Sequence, residues 1–367
     1  MKLAPFALEA WLAKYRDSVE HHLGMSTGPQ WTLAELRALM TEAELDAFDH
    51  SALTYCPTRG RESLRAALAA MYGADPEEIL VLNGGAEALL VLFSILDEPK
   101  ANVIVPTPCF APFVELPKAL GVETRCYELR IENGFALDVD AIIRLADART
   151  KLILVNTPHN PSGAIAEESA ILALDAFAQK HAIQLVVDEV YHPIYHGTSA
   201  RSAGEYSRAT VLGDFSKSFS LPGIRIGWLL ERDAERRRKL ENAHGYFTVS
   251  TSLLSELLAE CAVRNREVIW NRARSISADN LAALDEWFDG HENRLEWLRP
   301  AGSMTAFPRL RGIANAQPFC VAAAEHGVLV APGYCFRSPA HFRIGFGLAM
   351  PRYREALGLL SEVLASG

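Results

Sequence analysis

The chain is poor in the features that would tie it to an oxidising compartment, a membrane or a nucleic acid. Its six cysteines, at 56, 109, 126, 261, 320 and 335, are scattered through 367 residues with no CxxC pair. Neither a zinc site nor a disulfide framework is indicated, and free thiols in a reducing cytoplasm are expected. No apolar run reaches the length needed to span a bilayer. The opening stretch Met1 to Lys14 is interrupted by Glu9 and Lys14 and lacks a small-residue cleavage site, so it reads as a helix and not a signal peptide. A net charge of −9 argues against a nucleic-acid partner and against an anionic membrane surface. Internal repeats and low-complexity linkers are also missing.

What is present is an ordinary globular composition, 49% hydrophobic and 22% charged, in a chain long enough for two domains. From Pro76 to Leu230, short apolar runs alternate with amphipathic stretches. Strands are expected at Ile79–Leu82, Asn102–Val105, Thr124–Leu129, Leu152–Val155, Leu185–Val187, Thr210–Leu212 and Ile226–Leu229, with helices such as Ala86–Leu96 and Glu167–His181 between them. Continuous apolar strands separated by helices predict an α/β fold whose mainly parallel sheet is covered on both faces. Residues 256–300 read as long amphipathic helix. Short strands at Met304–Leu310, Val328–Val330 and Phe342–Phe346 and a closing helix from Arg352 to Leu364 complete a smaller α+β domain. The expected division is an N-terminal segment, 1–44, packing with the small domain, a large domain, 45–255, and the small domain, 256–367. The charged run Glu231 to Lys239 reads as a solvated helix face.

Three polar clusters follow the ends of apolar runs, where ligands bind in such sheets. They are Asn156-Thr157-Pro158-His159-Asn160-Pro161-Ser162-Gly163, Asp188-Glu189-Val190-Tyr191, and Asp214-Phe215-Ser216-Lys217 running on to Arg225 and Gly227. An amine, a carboxylate, an amide, a phenol and an arginine are the parts needed to hold pyridoxal 5'-phosphate (PLP). The lysine forms the Schiff base, and a carboxylate keeps the ring nitrogen protonated. With these motifs in this order and spacing, the chain from about Gly28 to Arg343 resembles the class I/II PLP-dependent aminotransferases of fold type I. Asn133-Gly134-Phe135, Met304 to Arg309 and His326 to Gly333 are most similar to the capreomycidine synthase-like branch.

The resemblance implies a role for each position. Lys217, Asp188 and Tyr191 are the expected catalytic residues. Gly84, Gly85 and Ala86, in a turn that opens a helix, would grip the cofactor phosphate through backbone N–H groups. Arg225 would bind the same phosphate with its planar fork, and Ser216 would offer a hydroxyl. Tyr55 matches a tyrosine that reaches the neighbouring subunit's phosphate, which implies a homodimer. Asp188 would pair with the ring nitrogen, and Asn160 and Tyr191 with the phenolic oxygen. Phe110, after two prolines expected to end the strand, would stack on the ring. Arg343 would bind the substrate α-carboxylate in two places, with Gly28 nearby. Asn160 borders that substrate position as well. Asp214 departs from the pattern, since Ser or Thr is usual there. A carboxylate beside a phosphate is repulsive unless it is turned away or neutralised by Arg225.

These residues leave two reactions open. One is amino transfer between an amino acid and a 2-oxo acid. The other is a lyase or cyclase reaction on a β-substituted amino acid, with the same lysine, aspartate and arginine. A PLP-sensing transcription regulator would need a DNA-binding module ahead of the domain, which the forty or so leading residues do not supply. No metal site is expected.

Overall fold

The computed structural model describes residues 2–366 apart from 97, 99 and 350. Its centre is a seven-stranded sheet formed by β1 (Ile79–Leu82), β2 (Asn102–Thr107), β3 (Glu123–Glu128), β4 (Thr150–Asn156), β5 (Gln184–Asp188), β6 (Thr210–Asp214) and β7 (Gly227–Leu230), in the order β1-β7-β6-β5-β4-β2-β3. Only β7 runs against the others, pairing antiparallel with both β1 and β6. The strands are apolar on both faces because both faces are covered. Ile79 and Val81 join one hydrophobic cluster while Leu80 and Leu82 join the other, and Ile153 and Val155 separate from Leu152 and Leu154 in the same way. Burying each such aliphatic side chain contributes roughly 1.5–3 kcal/mol, which makes the sheet rigid enough to serve as a platform.

Several expectations need correction. The strand expected at Val328–Val330 forms instead at Ala331–Pro332. β2 continues through Pro106, paired with Tyr127, to Thr107, so the strand is not broken at the first proline. The stretch 256–300 is two helices, Leu253–Arg264 and Arg266–Asp289, separated at Asn265, and it ends in a short strand at Leu295–Glu296. The charged run is not solvated throughout. Asp233, Glu235, Arg238 and Lys239 are exposed, but Glu231 is completely buried. Its carboxylate accepts from Thr210 Oγ1 at 2.6 Å and from Arg236 Nε at 2.9 Å, which anchors the following helix to the sheet. The sequence pattern marks a helix with charges and is silent on which charge points inward.

Residues 305–345 form a small antiparallel sheet of Thr305–Ala306, Ala331–Pro332 and Phe342–Gly345. The N-terminal helix α1 (Ala7–Tyr15) buries Leu8, Trp11 and Leu12, and Trp11 Nε1 donates to Val330 O at 2.8 Å. The chain then continues alongside the same sheet. Leu329 N donates to His21 O at 2.8 Å and Gly345 N to Leu23 O at 2.5 Å. This path carries residues 24–28 across to the C-terminal edge of the large sheet.

Removing the Glu231 carboxylate leaves Arg236 and Thr210 without their partner. Glu231→Ala is expected to lower stability by about 3 kcal/mol. The measurement is the denaturant midpoint, and an unchanged midpoint would mean that the buried carboxylate contributes nothing.

Candidate active site

The C-terminal ends of β4, β5 and β6 bring Asn156, Asp188 and Asp214 to one edge of the sheet, with Asn156 in register with Asp188. A cleft of about 370 Å³ opens above them. Of the residues singled out in the sequence, it is lined by Gly85, Ala86, Phe110, Asn160, Asp188, Ser216, Lys217, Arg225 and Arg343. The large sheet gathers most of them, from the ends of β1, β2, β4, β5 and β6, while Arg343 comes from the small antiparallel sheet.

Asp188 is buried, and its Oδ1 accepts from Val190 N at 3.1 Å. Burial pushes its carboxyl up to about 7, with the Val190 N–H and Lys217 pulling the other way. The Lys217 amine is lowered to about 8, first by burial and then by the neighbouring Arg343 charge. Lys217 Nζ donates to Ser26 Oγ at 2.9 Å. Arg343 is almost wholly buried. Its Nη1 donates to Asn160 Oδ1 at 3.1 Å and its Nη2 to Gly24 O at 2.7 Å, and the guanidinium lies 4.7 Å over the Phe336 ring. Its Nε has no protein partner among the described residues. Arg309 and Arg337 are instead committed at the surface to Glu132 and Glu296, and to Glu115.

The turn after β1 leads into helix α2 (Gly85–Ser94), whose first amides face the cleft. Gly84 has φ of +88°, and a Cβ there would lie 2.5 Å from Arg225 Nη2, so only glycine lets the guanidinium approach this turn. Asp214 lines the same cleft. Its Oδ2 accepts from Gly85 N at 2.5 Å and its Oδ1 from Ser216 N, while Arg225 Nη1 donates to Ser216 Oγ at 3.3 Å and to Pro222 O at 3.1 Å. The carboxylate is thus spent on ordering two backbone turns and offers a phosphate no donor. His159 supports the floor. Its Nε2 faces the Pro108 carbonyl at 2.9 Å, an acceptor only, so Nδ1 accepts from Ser162 Oγ at 2.7 Å.

Four residues singled out in the sequence lie outside the cleft lining. Tyr191 is fully buried, and its hydroxyl donates to Ser26 O at 3.1 Å. Gly84 lies behind Arg225. Gly28 packs on Ser220, where a Cβ would come within 2.0 Å of Oγ. Tyr55 is 84% exposed, away from the cleft of its own chain. Conversely, Phe6, Leu8, Glu9 and Leu12 at and within α1, together with Ser26 and Thr27, line the cleft without having been singled out. A short amphipathic helix carries no local signal for this. Ser26 and Thr27 adjoin Gly28, in the stretch that the sequence pointed to. Cys109 is buried and its thiol pushed well up by desolvation, so it is not a reactive group.

An amine and a carboxylate facing one cleft, an anion cradle at a helix N-terminus, and a buried guanidinium with an unused N–H fit PLP with an amino acid beside it. Ala86, Ser216 and Arg225 would hold the phosphate, with the Gly85 N–H given to Asp214, Asp188 would hold the ring nitrogen and Lys217 the aldehyde carbon. The chain belongs to the aminotransferase class I and II family, whose model matches residues 26–360. It is a PLP-dependent enzyme of that class. Capreomycidine synthase of Streptomyces vinaceus is 32% identical over 98% of this chain and 93% of its own length. A PLP-dependent aminotransferase from Streptococcus suis 89-1591 superposes with a TM-score of 0.93 at 29% identity, covering 100% of this chain and 99% of its own. The PLP-dependent cyclase OrfR superposes with a TM-score of 0.90 at 27% identity, over 100% of this chain and 98% of the other.

The lowered Lys217 pKa has a testable sign. Only the neutral amine attacks an aldehyde, so PLP capture by the apoprotein should accelerate about tenfold per pH unit below about 8 and level off above it. Stopped-flow absorbance measures this. Borohydride reduction and peptide mapping should then find the label on Lys217.

Proposed function

We propose that the protein is an aminotransferase that moves an amino group between an amino acid and a 2-oxo acid. Arg343, buried and lining the cleft with an unpartnered Nε beside Lys217, supports an amino-acid substrate, and the family match over residues 26–360 supports transfer. A fork with an N–H to spare suits an α-carboxylate. When bound, PLP supplies an electron sink for the charge left on the substrate α-carbon. Lys217 would take the α-proton as a neutral amine and give it back as an ammonium, acting as base and acid in turn. Asp188 would keep the ring nitrogen protonated, and Phe110, Phe6 and Leu8 would limit water at the reacting atoms.

The charges in the cleft also bear on the substrate. With Arg343 given to the α-carboxylate and Arg225 to the phosphate, no further arginine or lysine remains for a side-chain carboxylate among the described lining residues, apart from Lys217 itself. Glu9 adds a negative charge on that side. A donor with a side-chain carboxylate would therefore need its cation from outside these lining residues, such as from a second copy of the chain.

A second reading is a lyase or cyclase, favoured by the similarity to capreomycidine synthase and to OrfR. There Lys217 would deliver the proton to a group leaving the β-carbon, and the product would close on itself. The destination of that proton distinguishes the two. With amino donor alone, an aminotransferase accumulates pyridoxamine phosphate stoichiometrically with 2-oxo acid, whereas a cyclase leaves the cofactor in its aldehyde form. Chromatography of the released cofactor decides, and its failure to convert with any member of an amino-acid panel would overturn the first reading.

Arg343→Lys keeps the charge but loses the fork. It is expected to raise the apparent Kd for the amino donor at least about tenfold, with the cofactor absorbance unchanged. Equal affinity in a spectral titration would place the carboxylate elsewhere.

The working unit is proposed to be a cytoplasmic homodimer. Tyr55, Leu53 and Tyr246 are about four-fifths or more exposed, and Phe247 and Val249 about half exposed, a set of large apolar side chains suited to a second copy.

A further inference from the structure

The partner of the Lys217 amine comes from 191 residues away in the sequence. Ser26 Oγ accepts from Lys217 Nζ at 2.9 Å, and the backbone carbonyl of the same residue accepts from the Tyr191 hydroxyl at 3.1 Å. Ser26 is buried. It is also held from the other side. Gly24 O accepts from Arg343 Nη2, and Leu23 O from Gly345 N. Residues 23–28 can thread through this space only because their neighbours are glycines. A Cβ on Gly345 would lie 2.0 Å from Met25 O, and one on Gly347 2.6 Å from Thr27 O. The hydroxyl therefore sits on a segment whose backbone is pinned to the strand that carries Arg343.

We propose that Ser26 is a positioning residue for Lys217, holding its amine on the Arg343 side of the cleft once the lysine has left the cofactor. This rests on the reading of Lys217 as the cofactor-bearing lysine. A free lysine side chain has several rotamers, and its charged form is disfavoured by Arg343 and favoured by Asp214, Glu9 and Asp188. A fixed acceptor selects one of these rotamers. Lys217 is neutral when it takes the α-proton, an ammonium while it carries it, and neutral again after delivery. Ser26 accepts a hydrogen bond in each state and keeps its own proton, so no charge is created or lost at the hydroxyl. Because Arg343 is read as gripping the α-carboxylate, the segment that holds Gly24 against Arg343 and Ser26 against Lys217 sets the distance between base and α-carbon.

The test compares Ser26→Ala, Ser26→Cys and Ser26→Thr with the parent protein. In apoprotein, the pH dependence of PLP capture reports the Lys217 amine directly. Losing an acceptor destabilises the ammonium, so Ala and Cys should shift the midpoint down by about half a unit, and Thr should restore it. In turnover, Ala and Cys should lower kcat about tenfold with KM for the amino donor within about twofold, and should raise the isotope effect from an α-deuterated donor. Thr should return both toward the parent values. A parental midpoint and isotope effect in Ser26→Ala, or in Ser26→Cys if the alanine variant does not fold, would reduce Ser26 to a packing residue and overturn the proposal. Peptide mapping keeps the two ideas apart, since a label on another lysine defeats the cofactor assignment, whereas an unmoved midpoint with Lys217 labelled defeats only the role of Ser26.

Discussion

Taking a guanidinium out of water costs several kcal/mol unless its N–H groups find partners. Arg343 has paid this cost incompletely. Its two located partners, Asn160 Oδ1 and Gly24 O, are both uncharged, and Nε is left over. Much of the surrounding architecture meets this demand. Asn160 is placed by Asn156, whose Oδ1 accepts from Asn160 N at 2.7 Å, and Asn156 is placed by the end of β4. Gly24 is placed by the docking of the N-terminal segment on strand Phe342–Gly345. A charge balanced only by neutral acceptors is poised for an anion, and an amino acid brings one.

The same docking gives the N-terminal segment its importance. α1 is fixed to residue 330 by the Trp11 indole and presents Phe6, Leu8 and Glu9 to the cleft, while residues 24–28 follow the strand to Lys217. Glycines at 28, 345 and 347 remove the side chains that would keep these backbones apart. The site is therefore closed by parts that lie in the two ends of the chain and meet over the sheet. Asp214 follows a similar logic. An anion next to a phosphate cradle is tolerable because two backbone N–H groups, at Gly85 and Ser216, absorb its charge.

Much of this was legible before any coordinates. The apolar runs are continuous because the strands are buried on both faces, and the seven predicted strands fall on those observed. Polar clusters after these runs placed Asn160, Asp188 and Lys217 at strand ends, where the parallel sheet gathers them. Alternation separated Arg343 from Phe342 and Ile344. The mistakes have one kind of cause. Pro106 stays in its strand because its ladder position tolerates a missing N–H, and Glu231 turns inward because Thr210 and Arg236 wait for it.

The sequence by itself determined the sheet, its layers and the chemistry of the cleft floor, because strand burial, turn-forming glycines and strand-end positions are local properties of neighbouring residues. Only the tertiary structure decided what faces Lys217 from above, where Asp214 spends its charge and which residues of the N-terminal segment enter the cleft. Those answers depend on packing between residues more than a hundred positions apart, and no periodicity in the chain records which side chain will be there when the two ends meet.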